Sequence, residues 1–409
     1  MVANEERADG GGGEQGGDVR ADQPLRGIRV VELGIWVAGP AAAGVMADWG
    51  ADVIKIESPD GDPMRRVFQL IVGHGQPESP PFDLDNRGKR SVVLNLATEE
   101  GREAALRLVG SADVFLTNLR PDALERLGLG HEALLAEHPR LVYCSVTGYG
   151  LTGDDRGRAG YDVGAFWARS GIPHLMAPVG EPPPAIRGGM GDHITGLAAL
   201  SGVLGALLAR ERTGRGGLVE ASLLRTGMYA VGWDLGIQSR FGKLAPTAPR
   251  TSEMNPMVNS YRAADDRWFW LLGVESDRHF PPLCRAVGHP EWVDDERFAT
   301  ARARRKGAAE VVAALDEVFA TRPRHEWIDR FDTEGVWWAP VNTAADALAD
   351  PQALAAGAVV DVPEGAGAPA HQAIASPIRF DGAAVAPGGV PGLGEHTAEV
   401  LTELGLSAP

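Results

Sequence analysis

One carboxylate stands where a glycine loop runs into a long apolar stretch. The loop is Arg187-Gly-Gly-Met-Gly-Asp192-His193, and residues 194–210 follow with few polar side chains. That pattern predicts a helix beginning near Asp192. Aspartate is a preferred N-cap, because its oxygen accepts from the free N–H groups of the first turn. It is also placed to face a pocket, where first-turn amides and the helix dipole stabilise negative charge, an oxyanion included. The two roles are compatible. Glycines 188, 189 and 191 permit positive φ and close approach of backbone to a ligand. Two polar groups accompany this loop. Asn86-Arg87-Gly-Lys89-Arg90 is the densest basic cluster of the N-terminal third, and Asn118-Leu-Arg120 closes an apolar strand. A basic run by itself reads as a solvated loop. Polar residues at a strand's carboxyl end, by contrast, sit where open α/β sheets bind ligands.

Other chemistries lack their signatures. No G-x-S-x-G, G-x-x-x-x-G-K-S/T or H-E-x-x-H occurs, and the glycines after the first strand, Gly34 and Gly39, are five apart and form no G-x-G-x-x-G, so serine hydrolysis, P-loop binding, zinc catalysis and a dinucleotide site at the first strand–helix turn are not indicated. The ten histidines form no ligand spacing, and no metal is expected. A net charge of −16 argues against a nucleic-acid partner, which needs a basic face. Cys144 and Cys284 are distant in sequence, so no disulfide framework is implied; a reducing, cytoplasmic setting fits. Residues 1–23 are Gly- and acid-rich, with no apolar leader, and are expected to be a disordered tail. The nearly apolar run 194–209 falls short of the ~20 residues of a membrane span and reads as a core helix.

The elements that must position these groups alternate. Arg29–Gly34 and Asp52–Glu57 read as strands on either side of a small-residue helix, Ala41–Trp49, with Pro40 at its first position. Further strands are predicted at 91–96, 113–119 and 141–147, with a helix at 99–109. Strand–helix alternation of this kind predicts a parallel, Rossmann-like sheet. Residues 24–224 form the large domain and 225–250 a connector. A smaller α+β domain follows at 251–335, with a hairpin around Asp265-Asp266, and 336–409 return to the large domain. The basic residues Arg302, Arg304, Arg305 and Lys306 are expected to be exposed, and the later tryptophans to fill the small domain.

The G-D-x-x-T-G loop, the small-residue helix, the turn Arg210-Glu-Arg-Thr-Gly-Arg-Gly216, and Leu393-Gly-Glu-His-Thr397 occur in one order. Together they resemble the class III coenzyme A transferases, the family of formyl-CoA transferase and carnitine CoA-transferase, to which α-methylacyl-CoA racemase is related. The resemblance runs from Pro24 to about Leu406. It implies an interlocked homodimer, and a reaction that moves coenzyme A from an acyl-CoA thioester to a carboxylic acid acceptor. Coenzyme A is then a substrate, and no cofactor is permanently bound. Asp192 is the implied nucleophile, forming covalent aspartyl intermediates. Asn86, Arg87, Lys89 and Arg90 match a loop bordering the coenzyme A site, and Asn118 and Arg120 a segment near its nucleotide and pantetheine. Thr117, Leu119 and Asp122 depart from that segment's pattern. Tyr161 joins the ligand-binding set. It stands where the racemase branch carries a histidine base, and a phenol is a poor base at neutral pH. The alternative, an acyl-CoA racemase or epimerase, would need another base beside Asp192, such as His193. A third reading is a silent binding protein. Trp36, Trp167, Met190 and Tyr161 are candidates to line a pocket for a bulky or aromatic acid.

Overall fold

The computed structural model describes residues 23–72 and 78–406; the expected tail, but for residue 23, lies outside them. The chain divides into two compact units. One holds residues up to 170, 186–230 and from 357 onward; the other holds 171–185 and 231–356.

The first unit is built on six strands, β1 (Arg29–Leu33), β2 (Asp52–Glu57), β3 (Arg90–Val93), β4 (Val114–Thr117), β5 (Val142–Thr147) and β6 (Gly217–Ser222). All pair in parallel, in the order β3-β2-β1-β4-β5-β6. Their sequences are rich in β-branched and aromatic residues because both faces are covered. Val31, Ile54 and Phe115 stand side by side in register and are fully buried. On one face pack the helices Ala38–Asp48 and Met190–Thr213; on the other lie Glu99–Gly110 and Thr397–Glu403. The strand order reverses between β1 and β4, and in open α/β sheets a crevice for ligands opens there, beyond the carboxyl ends.

The two helices on the first face meet through small residues. A Cβ on Gly196 would lie 3.0 Å from the Ala38 carbonyl and 3.2 Å from Ala41 Cβ. The stripe Gly196, Ala199, Leu200, Val203, Leu207 is the buried face of the long helix, at helical spacing. This helix is longer than expected. It starts at Met190 behind Gly189, which takes φ 78°, and it ends at Gly214. Asp192 is therefore the third residue inside the helix and not its cap. The helix Ala38–Asp48 likewise begins two residues before Pro40, which is tolerated in a first turn because its missing N–H has no intrahelical partner there.

The second unit centres on a three-stranded antiparallel sheet, Ser260–Arg262, Trp268–Leu271 and Trp338–Pro340. The first two strands form the expected hairpin, with Asp266 at φ 62°. Helices Ser276–Val287, Ala308–Phe319 and Arg324–Glu334 close its core over Tyr261, Phe269 and Trp327. Four features differ from expectation. The pairing of Trp338–Pro340 with Trp268–Leu271 keeps residues 336–356 in this unit. The connector is instead two helices, Leu223–Ala230 and Gly232–Phe241, divided between the units. Arg304 is buried, bonded to Ser276 and Asp277, while Arg302, Arg305 and Lys306 are exposed. Trp270 and Trp337 are about half exposed.

Candidate active site

A cleft of about 430 Å³ opens beyond the carboxyl ends of β1, β4 and β5, at the reversal of strand order. The chain leaves β1 through Gly34–Val37, a strap that crosses the sheet edge before the first helix. Ile35, Trp36 and Ala38 form one wall of the cleft, Asn118–Pro121 another, and Val146–Gly148 its floor. The loop 156–161 supplies Arg156, Arg158 and Tyr161, and Asp192 enters from the first turn of the long helix. A second cleft of about 330 Å³ lies against β1, β2 and β3 and shares Ile35 and Leu119 with the first.

Asp192 is half-buried, with the charges of Asp162 and Asp85 acting on it. Burial pushes its carboxyl up to about 7; Asp162 and Asp85 add to this, and His193 opposes it. Asp162 ties the site together, because its Oδ2 accepts from the Gly189 amide at 2.9 Å and its Oδ1 from the Val163 amide at 2.7 Å. The Met190 amide donates to the Arg187 carbonyl. Of the glycines expected to shape an oxyanion site, Gly189 has its N–H committed to Asp162. Gly191 is required for a steric reason: a Cβ there would meet the Phe166 ring at 2.5 Å. His193, raised as a stand-in base, has Nε2 3.0 Å from Asp85 Oδ1. That bond, with the Asp192 and Asp85 charges, holds its pKa above the usual histidine value against the effect of burial. His193 is thus tied to Asp85.

The remaining candidates separate into two groups. Arg120 and Tyr161 are exposed and line the cleft. The Tyr161 ring meets Trp36 edge-on, centroids 6.1 Å apart, and its backbone takes φ 23° where a π-helical stretch begins. Asn118 lines the cleft too, yet both ends of its amide are engaged. Oδ1 accepts from the Ile35 N–H at 3.0 Å and Nδ2 donates to the Ile35 carbonyl at 2.7 Å, so Asn118 fixes the strap.

Asn86, Arg87, Lys89 and Arg90, by contrast, lie in neither cleft. Lys89 Nζ donates to Glu32, the Pro40 carbonyl and Asn86 Oδ1 at 2.6–2.9 Å. Arg87 forms a bidentate pair with Asp48 and also bonds the Ile374 carbonyl. Arg90 pairs with Asp52, Glu399 and Glu403. The cluster expected to border the ligand is thus engaged within the fold and not in either cleft. Arg87 and Lys89 neutralise the buried carboxylates Asp48 and Glu32, which would otherwise be left unpaired at a cost of several kcal/mol, ~3–5 for a broken pair, whereas the partners of Arg90 are open to solvent. Of the pocket aromatics expected, Trp36 and Tyr161 reach the cleft, Trp167 is buried in the core, and Met190 is exposed outside it. Arg156, Arg158, Asp62, Asp85 and Asp162 were not singled out from sequence. Only the pair Arg156-Gly-Arg158 carried a local signal, two cations in a glycine loop.

The arrangement, a half-buried carboxylate in the first turn of a helix facing a cleft with three guanidinium groups, suits acyl chemistry on an anionic ligand. The family model described as CoA-transferase family III matches residues 25–397. The chain belongs to that family and is an enzyme of the CoA-transferase class. A cinnamoyl-CoA:phenyllactate CoA-transferase of Clostridium sporogenes is 33% identical over 388 residues, 93% of each chain. A succinate–glutarate CoA-transferase of Agrobacterium fabrum is 34% identical, covering 93% of this chain and 96% of that one. The crystal structure of a CAIB/BAIF family protein from Brucella suis superposes with TM-score 0.82 at 34% identity, over 93% of this chain and 99% of that one. Both named enzymes are transferases, which does not favour the racemase reading.

Proposed function

We propose that this enzyme moves coenzyme A from an acyl-CoA thioester to a carboxylic acid through covalent intermediates on Asp192. The observation that carries the reading is Asp192 itself, a carboxylate in the first turn of a 24-residue helix, opening on the cleft and shifted up to about 7. In step one the carboxylate attacks the thioester carbonyl; the C–S bond breaks, leaving an acyl–aspartyl anhydride and coenzyme A thiolate. The thiolate then attacks the aspartyl carbonyl, giving an aspartyl thioester and releasing the donor acid. The acceptor carboxylate and the thiolate repeat the two steps in reverse order, and Asp192 is regenerated. Covalent catalysis of this kind divides one difficult exchange into easier ones. Desolvation makes Asp192 a more basic nucleophile than a free aspartate, and the helix N-terminus supports its ionised form by ~0.3–1 kcal/mol.

Arg120, Arg156 and Arg158 bring guanidinium donors to the cleft, as an anionic coenzyme requires, with Arg156 and Arg158 lying 3.9 and 3.5 Å from the surface carboxylates Asp122 and Asp155. The second cleft, sharing Ile35 and Leu119, offers room for an extended ligand along the strand ends. The Trp36–Tyr161 pair beside Asp192 favours a bulky or aromatic acyl group, a preference shared with the name of the C. sporogenes relative. A homodimer in the cytoplasm completes the proposal. Large apolar side chains left open on the single chain, among them Leu208, Tyr229 and Trp233, support a partner, and unpaired Cys144 and Cys284 suit a reducing compartment.

The test is mass spectrometry after incubation with acyl-CoA thioesters and hydroxylamine. The expected result is a hydroxamate on Asp192 that is absent from Asp192→Ala. Absence of any adduct, together with exchange of the substrate's α-proton in deuterated water, would replace transfer by racemisation.

A further inference from the structure

Trp36 stands in the left-handed region, φ 65°, where a bulky side chain is a rare outlier. Such strain persists only where surrounding structure over-determines it, and here the surroundings are visible. Four successive backbone groups of the strap are each held by a side chain. Lys55 Nζ donates to the Gly34 carbonyl at 2.8 Å. Asn118 takes both the N–H and the carbonyl of Ile35. Asp62 Oδ1 accepts the Trp36 N–H at 3.1 Å and the Met64 N–H at 2.9 Å. Lys55 and Asp62 are fully buried, with Lys55 Nζ 2.9 Å from Asp62 Oδ2, an ion pair whose angle lies outside hydrogen-bond geometry. Glu32 joins the pair to the rest of the fold, bonding Lys55 through Oε1 and Lys89 through Oε2.

A cap on a distant element would not need this. The groups held are those that turn the chain out of β1 and bring the Trp36 ring to Tyr161, in the cleft that Asp192 also lines. We infer that the buried Lys55–Asp62 pair is a positioning device: it fixes Trp36 in its left-handed conformation and so sets the aromatic wall that distinguishes acyl groups at Asp192. The inference rests on the transfer reading and adds its specificity determinant. Neither residue touches the reacting atoms. Asp62 acts through the Trp36 amide, and Lys55 through the Gly34 carbonyl and the charge of Asp62. Removing the Asp62 charge leaves a buried ammonium short of one counter-ion, so the strap relaxes toward ordinary φ and the ring leaves its place.

The experiment compares the full-length protein with Asp62→Asn, Asp62→Ala and Trp36→Gly, using cinnamoyl-CoA and acetyl-CoA as donors. The ratio of kcat/KM for the aryl over the small donor is the readout, because a loss of fold alone lowers both alike. The expected result is a fall in that ratio of at least about tenfold in Asp62→Ala, about 1.4 kcal/mol of transition-state discrimination. Asp62→Asn keeps an acceptor for the Trp36 amide and falls between. Trp36→Gly accepts the positive φ without strain, keeps Asp62 in place and lacks the ring; it shows the same fall, and serves if the Asp62 variants do not fold. An unchanged ratio in Trp36→Gly, or in folded Asp62→Ala, overturns the inference. So does a wild type that forms the Asp192 hydroxamate with acetyl-CoA but does not turn over cinnamoyl-CoA. In both cases the transfer reading stands, since it fails only if no donor labels Asp192.

Discussion

Asp192→Asn should make the protein more stable at alkaline pH while abolishing transfer. In the folded chain the Asp192 carboxyl is raised from 3.8 to about 7, by burial first and by Asp162 and Asp85 next. A group whose folded pKa lies above its unfolded value stabilises fully below the unfolded pKa, and that stability is lost as pH rises through the folded one. Near pH 4 the carboxyl is largely neutral in the folded chain, and the amide variant gains almost nothing. Between pH 4 and 7 the unfolded chain ionises and the folded chain does not, so the gain grows with pH. Above 7 it is complete. About three pKa units at 1.36 kcal/mol each set a ceiling of about 4 kcal/mol, and partial solvent access reduces this to on the order of 2 kcal/mol. Urea unfolding of both proteins at pH 4.5, 6 and 8 measures it, following the difference in midpoint. A gain equal at all three pH values would point to packing rather than charge. No gain at pH 8 would refute the desolvated, like-charged site, and with it the account of why this carboxylate is basic.

The same ionisation governs the first half-reaction: kcat/KM for acyl-CoA, measured by thiolate release, should rise with pH to a plateau with a midpoint near 7, and a flat profile from pH 5.5 to 8 would contradict it. Gly191→Ala drives a methyl into the Phe166 ring; the overpacking should cost about 1–3 kcal/mol and move Asp192, reducing labelling by hydroxylamine more than it reduces the folded fraction seen by circular dichroism. Lys89→Met leaves Glu32 with Lys55 alone; it should destabilise by about 3–5 kcal/mol in urea titrations. Coenzyme A affinity of the folded Lys89→Met protein, measured by calorimetry, should be unchanged. Arg158→Ala should weaken coenzyme A binding, more so at low salt, where the cationic surface is least screened.

Some of this was fixed by local pattern. Val30, Val31, Ile54 and Val114 are apolar and β-branched because strands buried on both faces need them, and their alternation with small-residue helices can be read without coordinates. The nucleophile candidate was equally legible: a lone carboxylate after three glycines, opening an apolar helix, is a pattern over a few residues. Tertiary structure decided what each polar group is for. Arg87 and Lys89 look like part of a solvated ligand loop in sequence, but their partners Asp48 and Glu32 lie 39 and 57 residues away, so nothing local shows that they are buried. Asn118 reads as a ligand contact until the strap folds back on it and takes both ends of its amide. Trp36 and Tyr161 are 125 positions apart, and only the crossing of the sheet brings their rings together. Which residues can form an element is set by the period of neighbouring side chains. Which of them remain free to meet a ligand depends on long-range pairs that neutralise buried charge, and that is a property of the folded chain alone.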